Sequence, residues 1–190
     1  GGVAVDEDGN LVGILASGDG NINEIIPIVL INEVLKNTNE IYNDQFLKTG
    51  KYIRLCADNL DISFNTNKNL DKTIGNDIDE YCWKSNNKKL MDQAGQTFGR
   101  LGDLRRSTKF LEKSVELDPM SPNSLLSLAI TYHISRDFKK ERPIILKLLG
   151  ITPETPQVLS LGVQVAGILK DNKMTNQVLT LMETHNKEAL

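Results

Sequence analysis

Apolar and polar residues in the second half of the chain recur with the spacing of amphipathic helices. Between residues 88 and 101 the apolar or small positions lie three or four residues apart, on one predicted helix face: Met91, Ala94, Gly95, Phe98 and Leu101. Gly102 interrupts this pattern, and Asp103 is the residue type that caps a following helix. A second apolar pattern follows this cap, and it ends before Pro119. The pattern predicts a hairpin of two helices.

The same hairpin pattern returns at a fixed 34-residue step. The step separates Asp103, Asp137 and Asp171, and it also relates Pro119 to Pro153 and Pro122 to Pro156. In an ordinary helical bundle, caps and prolines are not expected to recur at one constant spacing. The 34-residue period therefore predicts three stacked hairpins. The third is less regular, because Ala166 replaces the aromatic residue and Lys187 stands where the closing proline is expected.

Residues 88–187 resemble three tetratricopeptide repeats. The resemblance rests on Gly95, Phe98 and Pro119 in the first repeat and on Ala129, Tyr132 and Pro153 in the second. It implies a mainly α fold, a right-handed solenoid in which the first helix of each hairpin lines a concave groove. In this family the groove holds a peptide or a segment of a partner protein.

The resemblance also implies which side chains face the groove. These partner-binding candidates are Asp92, Gln96, Arg100, Ser127, Ile130, His133, Gln157 and Gln164. They lack the Lys/Asn/Arg set with which some family members hold the terminal carboxylate of a peptide. We therefore expect an internal segment of a protein partner as the ligand.

The first 36 residues carry a β pattern instead. Two short apolar runs, 1–5 and 11–15, flank an Asp8-Gly9 turn and predict a β-hairpin. After a glycine-rich loop, an apolar run at 25–29 predicts another strand, and 30–36 predicts a helix. A lone hairpin is only marginally stable in water.

The order of these elements resembles the end of a trypsin-like peptidase domain of the HtrA type. Gly1-Gly2, Gly9-Asn10, Val12-Gly13-Ile14 and Ile26-Pro27-Ile28 stand where that family has its corresponding glycines and strands. The resemblance implies a remnant of a trypsin-like barrel. It also places the nucleophilic serine directly before Gly1 and the catalytic His and Asp further upstream. Because the sequence starts with Gly rather than Met, we expect a processed product or a fragment.

We assign no catalytic residue within the 190 residues. A serine peptidase needs a nucleophile, a histidine base and an orienting acid. The two histidines, His133 and His185, both lie in the repeat region, and Ser17 is predicted to be an ordinary loop residue. We therefore expect that this chain alone does not hydrolyse peptides.

Residues 37–87 are predicted to be an asparagine-rich linker with some structure of its own. The segment holds ten asparagines, which favour turns. Cys56 and Cys82 lie 26 residues apart, which is not a zinc-binding spacing. If the parent protein is exported, as many HtrA-type proteases are, a disulfide here would contribute roughly 3 kcal/mol; two free thiols are the alternative. The scattered aspartates fit no calcium loop, so we expect neither a metal nor a cofactor.

Charge is distributed unevenly along the chain. Residues 1–85 carry 7 Lys/Arg and 14 Asp/Glu, whereas residues 86–190 carry 15 and 11. A predicted basic stripe follows the 34-residue step along the second helices: Arg105, Lys139 and Lys173. No aromatic residues are interleaved with it, so we expect a solvated face rather than a nucleic-acid site. The longest apolar stretch, 25–31, is too short to span a membrane.

These patterns together predict a protein-interaction module joined to the terminal part of a trypsin-like peptidase domain, with boundaries at 1–36, 37–87 and 88–190. The alternative is one part of a serine endopeptidase that requires the upstream half for activity. A third hypothesis is self-association through apolar surface near the last hairpin, at Leu161, Val165 and Ile168.

Overall fold

The computed structural model describes residues 2–18, 23–36, 43–65 and 71–185. Its internal contacts divide the chain into two units, Gly1–Lys48 and Thr49–Leu190. Within the described residues, no helix has the length and apolar character needed to cross a bilayer.

The first unit contains a three-stranded antiparallel sheet in the order β1 (Val3–Val5), β2 (Leu11–Gly18) and β3 (Asn23–Pro27). Helix α1 (Ile28–Lys36) follows β3 directly. The predicted hairpin and third strand are thus confirmed. Ser17 was predicted to lie in a loop, but it belongs to β2 and pairs with Glu24 of β3.

Sequence chemistry explains the turn and the central strand of this sheet. In the β1–β2 turn, the Asp6 carboxylate accepts hydrogen bonds from the backbone N–H groups of Asp8 and Asn10, at 3.1 and 2.8 Å. Gly9 has a φ of +81°, which favours glycine. A Cβ at Gly13 would overlap the carbonyl oxygen of Ile26, so this position of β2 requires glycine.

The second unit is built from antiparallel helical hairpins. Its helices are α2 (Asn43–Asn65, which begins in the first unit), α3 (Lys72–Ser85), α4 (Lys88–Arg100), α5 (Leu104–Leu117), α6 (Pro122–Ile134), α7 (Phe138–Ile151), α8 (Pro156–Leu169) and α9 (Asn172–His185). The predicted hairpins correspond to α4/α5, α6/α7 and α8/α9, each packed against the next. Pro122 and Pro156 start their helices at the position where a missing N–H costs least.

The predicted aspartate caps are present at all three second helices. The carboxylates of Asp103, Asp137 and Asp171 accept hydrogen bonds from the backbone N–H groups three residues later, at 3.0, 3.3 and 3.0 Å. These bonds satisfy N–H groups that have no partner inside the helix. Each cap therefore fixes where the second helix of its hairpin begins.

Small residues allow the two helices of a hairpin to approach closely. A Cβ at Gly95 would lie 2.5 Å from Cγ of Leu111, and one at Gly162 would lie 2.9 Å from Cγ2 of Val178. At Gly95 and Gly162 the paired helices therefore lie too close together for a larger side chain to fit without a shift. Val165, by contrast, is fully buried in the core of the last two hairpins, so it does not contribute to the apolar surface predicted near the last hairpin.

Helices α2 and α3 form a further hairpin in front of the three predicted ones. Cys56 of α2 and Cys82 of α3 form a buried disulfide. Asp71 caps α3 through the N–H of Thr73 at 3.1 Å. The buried residues four and seven positions after this cap, Gly75 and Ile78, correspond to Ser107 and Phe110 of α5. Much of the segment predicted to be a linker is therefore helical.

Candidate groove on the first helices

Two adjoining cavities lie along the first helices of the array. The α2–α4 cavity, of about 620 Å³, is lined by Ala57, Leu60, Asp61, Phe64, Gln93, Gln96, Thr97 and Arg100. The α4–α6 cavity, of about 320 Å³, is lined by Gln96, Gly99, Arg100, Leu104, Ser107, Leu111, Ser127, Ile130, Thr131 and Ile134. Gln96 and Arg100 line both cavities, so the two adjoin across α4. We call them together the groove.

The α4–α6 cavity exists because small residues meet where α4 packs on α5. A Cβ at Gly99 would lie 3.1 Å from Oγ of Ser107, so there is little room for a larger side chain at this contact. The Ser107 hydroxyl is hydrogen-bonded to the Thr131 hydroxyl at 3.2 Å, which ties α5 to α6. Ile130 and Ile134 of α6 are 40% and 59% exposed. The result is an open recess whose walls are mainly apolar.

Arg100 places a positive charge at the boundary of the two cavities. The centre of its guanidinium lies 5.2 Å from the centroid of the Phe64 ring, a cation–π contact. One of its terminal nitrogens donates to the Thr97 hydroxyl at 3.4 Å. Among the described residues, no carboxylate forms an ion pair with Arg100. The aromatic ring therefore positions the guanidinium without neutralising its charge.

Amide and carboxylate groups lie beside this arginine on α4. The Gln96 side-chain amide donates to the Asp92 carboxylate at 3.0 Å. This bond fixes the orientation of an amide that lines both cavities. Of the eight predicted partner-binding residues, Gln96, Arg100, Ser127 and Ile130 line the α4–α6 cavity, and Asp92 supports one of them.

The side chain of His133 contacts the second helix of its own hairpin. Its Nδ1 lies 3.0 and 3.1 Å from the two carboxylate oxygens of Glu141 in α7. The imidazole also packs edge-on against Phe138, with ring centroids 5.5 Å apart. Burial raises the pKa of the Glu141 carboxyl, and the hydrogen bond and charge of His133 offset part of that rise.

The remaining predicted residues are exposed. Gln157 and Gln164 lie on α8 and line neither cavity; the Gln164 amide donates to the Ser160 hydroxyl at 3.3 Å. The basic stripe lies on the second helices, two residues after each capping aspartate, with exposed side chains: Arg105, Lys139 and Lys173. The stripe and the groove are therefore carried by different helices.

Sequence reasoning missed one wall of the groove. Phe64, Leu60 and Asp61 belong to α2, within the segment predicted to be a linker. The capping residue Asp71 was a sequence signal for a helix in this segment. It stands two positions too close to Asp103 to match the 34-residue step, however, so it falls outside the repeat pattern.

Comparisons with known proteins agree with the architecture. A crystal structure of MamA has a TM-score of 0.52 and 15% identity, covering 84% of this chain and 89% of that one. A second MamA structure has a TM-score of 0.51 and 15% identity, covering 79% and 81%. PilF from Pseudomonas aeruginosa has a TM-score of 0.46 and 14% identity; the match covers 60% of this chain and 55% of PilF, about half its length.

The likeness to MamA supports a tetratricopeptide-like helical array as the fold of the helical part of this chain. Identity at this level shows the fold alone. No protein-family model matches the sequence, and a search of curated proteins found no match.

Proposed function

We propose that this chain is a protein-interaction module that binds a segment of a partner protein in the groove. The observation that carries the proposal is the pair of adjoining cavities, which share Gln96 and Arg100. They offer apolar recesses, an amide and a positive charge along one side of the array. Binding sites of this kind combine apolar walls with a few positioned polar groups. Catalysis by this chain alone forms no part of the proposal.

Site-specific cross-linking tests where a partner binds. A photoreactive benzoylphenylalanine at Ile130 lies on the groove, and the same residue at Lys139 lies exposed on the second helix of the same hairpin. We expect irradiation in an extract of the source cells to give a discrete protein adduct from position 130 and none from 139. Adducts of equal yield from both positions would contradict a groove-specific interaction.

The first unit supports a second proposal, that the module is attached to the terminal part of a trypsin-like peptidase domain. The sheet and the helix after it have the element order of that family's last strands. Neighbouring residues of one strand point to opposite faces, yet apolar side chains are exposed on both faces: Leu11 and Val12 in β2, and Ile25 and Ile26 in β3. Such a sheet requires cover on both sides.

The coding sequence upstream of Gly1 tests this second proposal. It should encode Gly-x-Ser directly before Gly1, with a histidine and an aspartate further upstream. The protein translated from that longer reading frame should react with a fluorophosphonate probe of serine hydrolases. A start codon immediately before Gly1 would rule the attachment out.

A further inference from the structure

One pair of equivalent positions carries different residue types in the three hairpins, and this difference affects the groove. Gly99 and Ser107 face each other in the first predicted hairpin. One repeat step later the equivalent residues are His133 and Glu141, and two steps later they are Gly167 and Thr175. The second hairpin thus replaces a glycine–hydroxyl pair with an imidazole–carboxylate pair.

The exchange makes neighbouring parts of the first-helix surface chemically different. At Gly99 the space beside α4 is part of the α4–α6 cavity. At the equivalent place in the next hairpin, the His133 ring packs edge-on against Phe138 and is hydrogen-bonded to the Glu141 carboxylate. The second hairpin therefore carries an imidazole at the position where the first hairpin has a glycine beside its apolar recess.

The size and walls of the α4–α6 cavity restrict what it can hold. At about 320 Å³ it lies at the lower end of the range for small-molecule sites, roughly 300–1,000 Å³. Leu104, Leu111, Ile130 and Ile134 supply apolar walls, and Ser107 and Thr131 already bond each other. A large aliphatic or aromatic side chain matches these properties better than a polar one.

The positive charge of Arg100 favours an acidic residue near that apolar side chain in the ligand. Arg100 lines the same cavity and forms no ion pair with a carboxylate among the described residues, while Asp61 lies in the adjoining α2–α4 cavity. A carboxylate on a ligand gains from Arg100 if it stays close to the apolar anchor. Side chains two residues apart in an extended segment point the same way, about 6.6 Å apart.

We propose that the α4–α6 cavity binds one large apolar side chain of an extended partner segment, and that Arg100 pairs with an acidic residue two positions away in that segment. This inference rests on the proposed function and specifies the class of ligand. The acidic–apolar segment is internal to the partner, so its recognition does not use a chain terminus.

Synthetic peptides test this specificity. The probes are fluorescein-labelled nonapeptides of Gly and Ser with blocked termini, a central Leu, Phe or Ser, and Glu, Gln or Lys two residues away. We expect the full 190-residue chain to bind the Leu/Glu and Phe/Glu peptides best in fluorescence anisotropy. Changing Glu to Lys, or the central residue to Ser, should weaken binding about tenfold, the range of a single interface anchor.

Two variants and one matched control locate the binding. Ser127→Leu should fill the cavity and weaken binding of the Leu/Glu peptide about tenfold. One repeat step later the third hairpin carries Leu161, so a first helix accommodates leucine at this register. Ser160→Leu adds the same side chain at an exposed position of α8 and should leave affinity unchanged. Arg100→Gln should abolish the preference for Glu over Gln.

Several results would overturn the inference. These are equal binding of the central-Ser peptides, equal effects of Ser127→Leu and Ser160→Leu, or no binding by any peptide to a chain whose circular dichroism shows it folded. A further contradicting result is a dimer, detected by light scattering, that the Ser127→Leu substitution dissociates. In that case a second copy of the chain would fill the cavity. If cross-linking from position 130 persists in any of these cases, the groove proposal survives and only the ligand class is wrong.

Discussion

Glu141 is fully buried in α7, at a position where the neighbouring hairpins carry hydroxyl residues. Burial disfavours the charged form, so the pKa of this carboxyl is raised. The His133 imidazole is its hydrogen-bonding partner, at 3.0 Å. The pair stabilises the second hairpin only while both members are present, because removing one leaves a buried polar group without its partner.

The raised pKa of Glu141 predicts a pH-dependent stability. Between the unfolded-state pKa of Glu, about 4.3, and the higher folded-state pKa, the folded protein binds more protons than the unfolded one. The contribution of Glu141 to the free energy of unfolding therefore falls as the pH rises through this window. Glu141→Gln should flatten that slope, measured by urea unfolding between about pH 4 and 7.

An exposed acid provides the control for this measurement. Glu154 lies exposed in the turn before α8, and Glu154→Gln should leave the wild-type slope intact. If Glu141→Gln and Glu154→Gln give the same pH dependence as the wild type, Glu141 does not have the raised pKa described above.

The sequence predicted individual residues with uneven success. His133 was identified because it lies on a first helix, but its partner was not, because the 34-residue step aligns Glu141 with Ser107 and so suggests a small polar contact. Phe64 was missed for another reason, since its helix lies in an asparagine-rich segment. Which side chains of two different helices contact each other depends on how the helices pack. The residue pattern within one helix does not specify this packing.

At the scale of elements, the turns between paired helices contain a repeated backbone conformation. Gly102, Arg136 and Lys170 precede the three caps, and all have positive φ, at 80°, 59° and 54°. Only the first is glycine, the residue that adopts this conformation without a steric penalty. The 34-residue step thus preserves a backbone geometry even where the sequence does not preserve the residue.

This geometry predicts the effect of exchanging the turn residues. Arg136→Gly removes the steric penalty and should raise the free energy of unfolding by about 0.5–1 kcal/mol, net of the entropy of glycine. Gly102→Arg should lower it by about 1 kcal/mol. Chemical denaturation measures both. Arg136→Ala keeps the Cβ and is the control; a gain equal to that of Arg136→Gly would exclude the backbone explanation.

The disulfide between α2 and α3 gives a second prediction at this scale. Cys56 and Cys82 close a loop with a sequence separation of 26 residues. In the loop-entropy model, opening it should lower the free energy of unfolding by roughly 3 kcal/mol. Thermal unfolding of the Cys56→Ala/Cys82→Ala double variant against the oxidised wild type measures this loss. Two reactive thiols in the unreduced, denatured chain would show that the bond does not form.

The elements were predictable where local chemistry repeats. Caps, prolines and small residues fixed three helical hairpins, because each acts within a few residues of its own position. The α2/α3 hairpin was not predicted as such. Its cap at Asp71 does not match the repeat step, and the disulfide joins residues that are distant in sequence.

At the scale of the whole molecule, the function depends on how first helices combine. No single helix forms the groove: α2, α4 and α6 each contribute residues, and α5 contributes Leu104, Ser107 and Leu111 to the α4–α6 cavity. The sequence could predict that first helices face a groove through the family resemblance. It could not predict where the groove has an open recess, because that depends on Gly99 meeting Ser107 across two helices.

The affinity of the cross-linked partner for three purified forms of the chain tests the central claim most directly. Arg100→Glu reverses a charge in the groove, and Arg105→Glu makes the same change at an exposed position of α5. Titration calorimetry should show affinity at least about tenfold weaker for Arg100→Glu, as expected of a central interface residue, and within about twofold of wild type for Arg105→Glu. Equal affinities for all three forms, or the larger loss at Arg105, would contradict a binding site on the first helices.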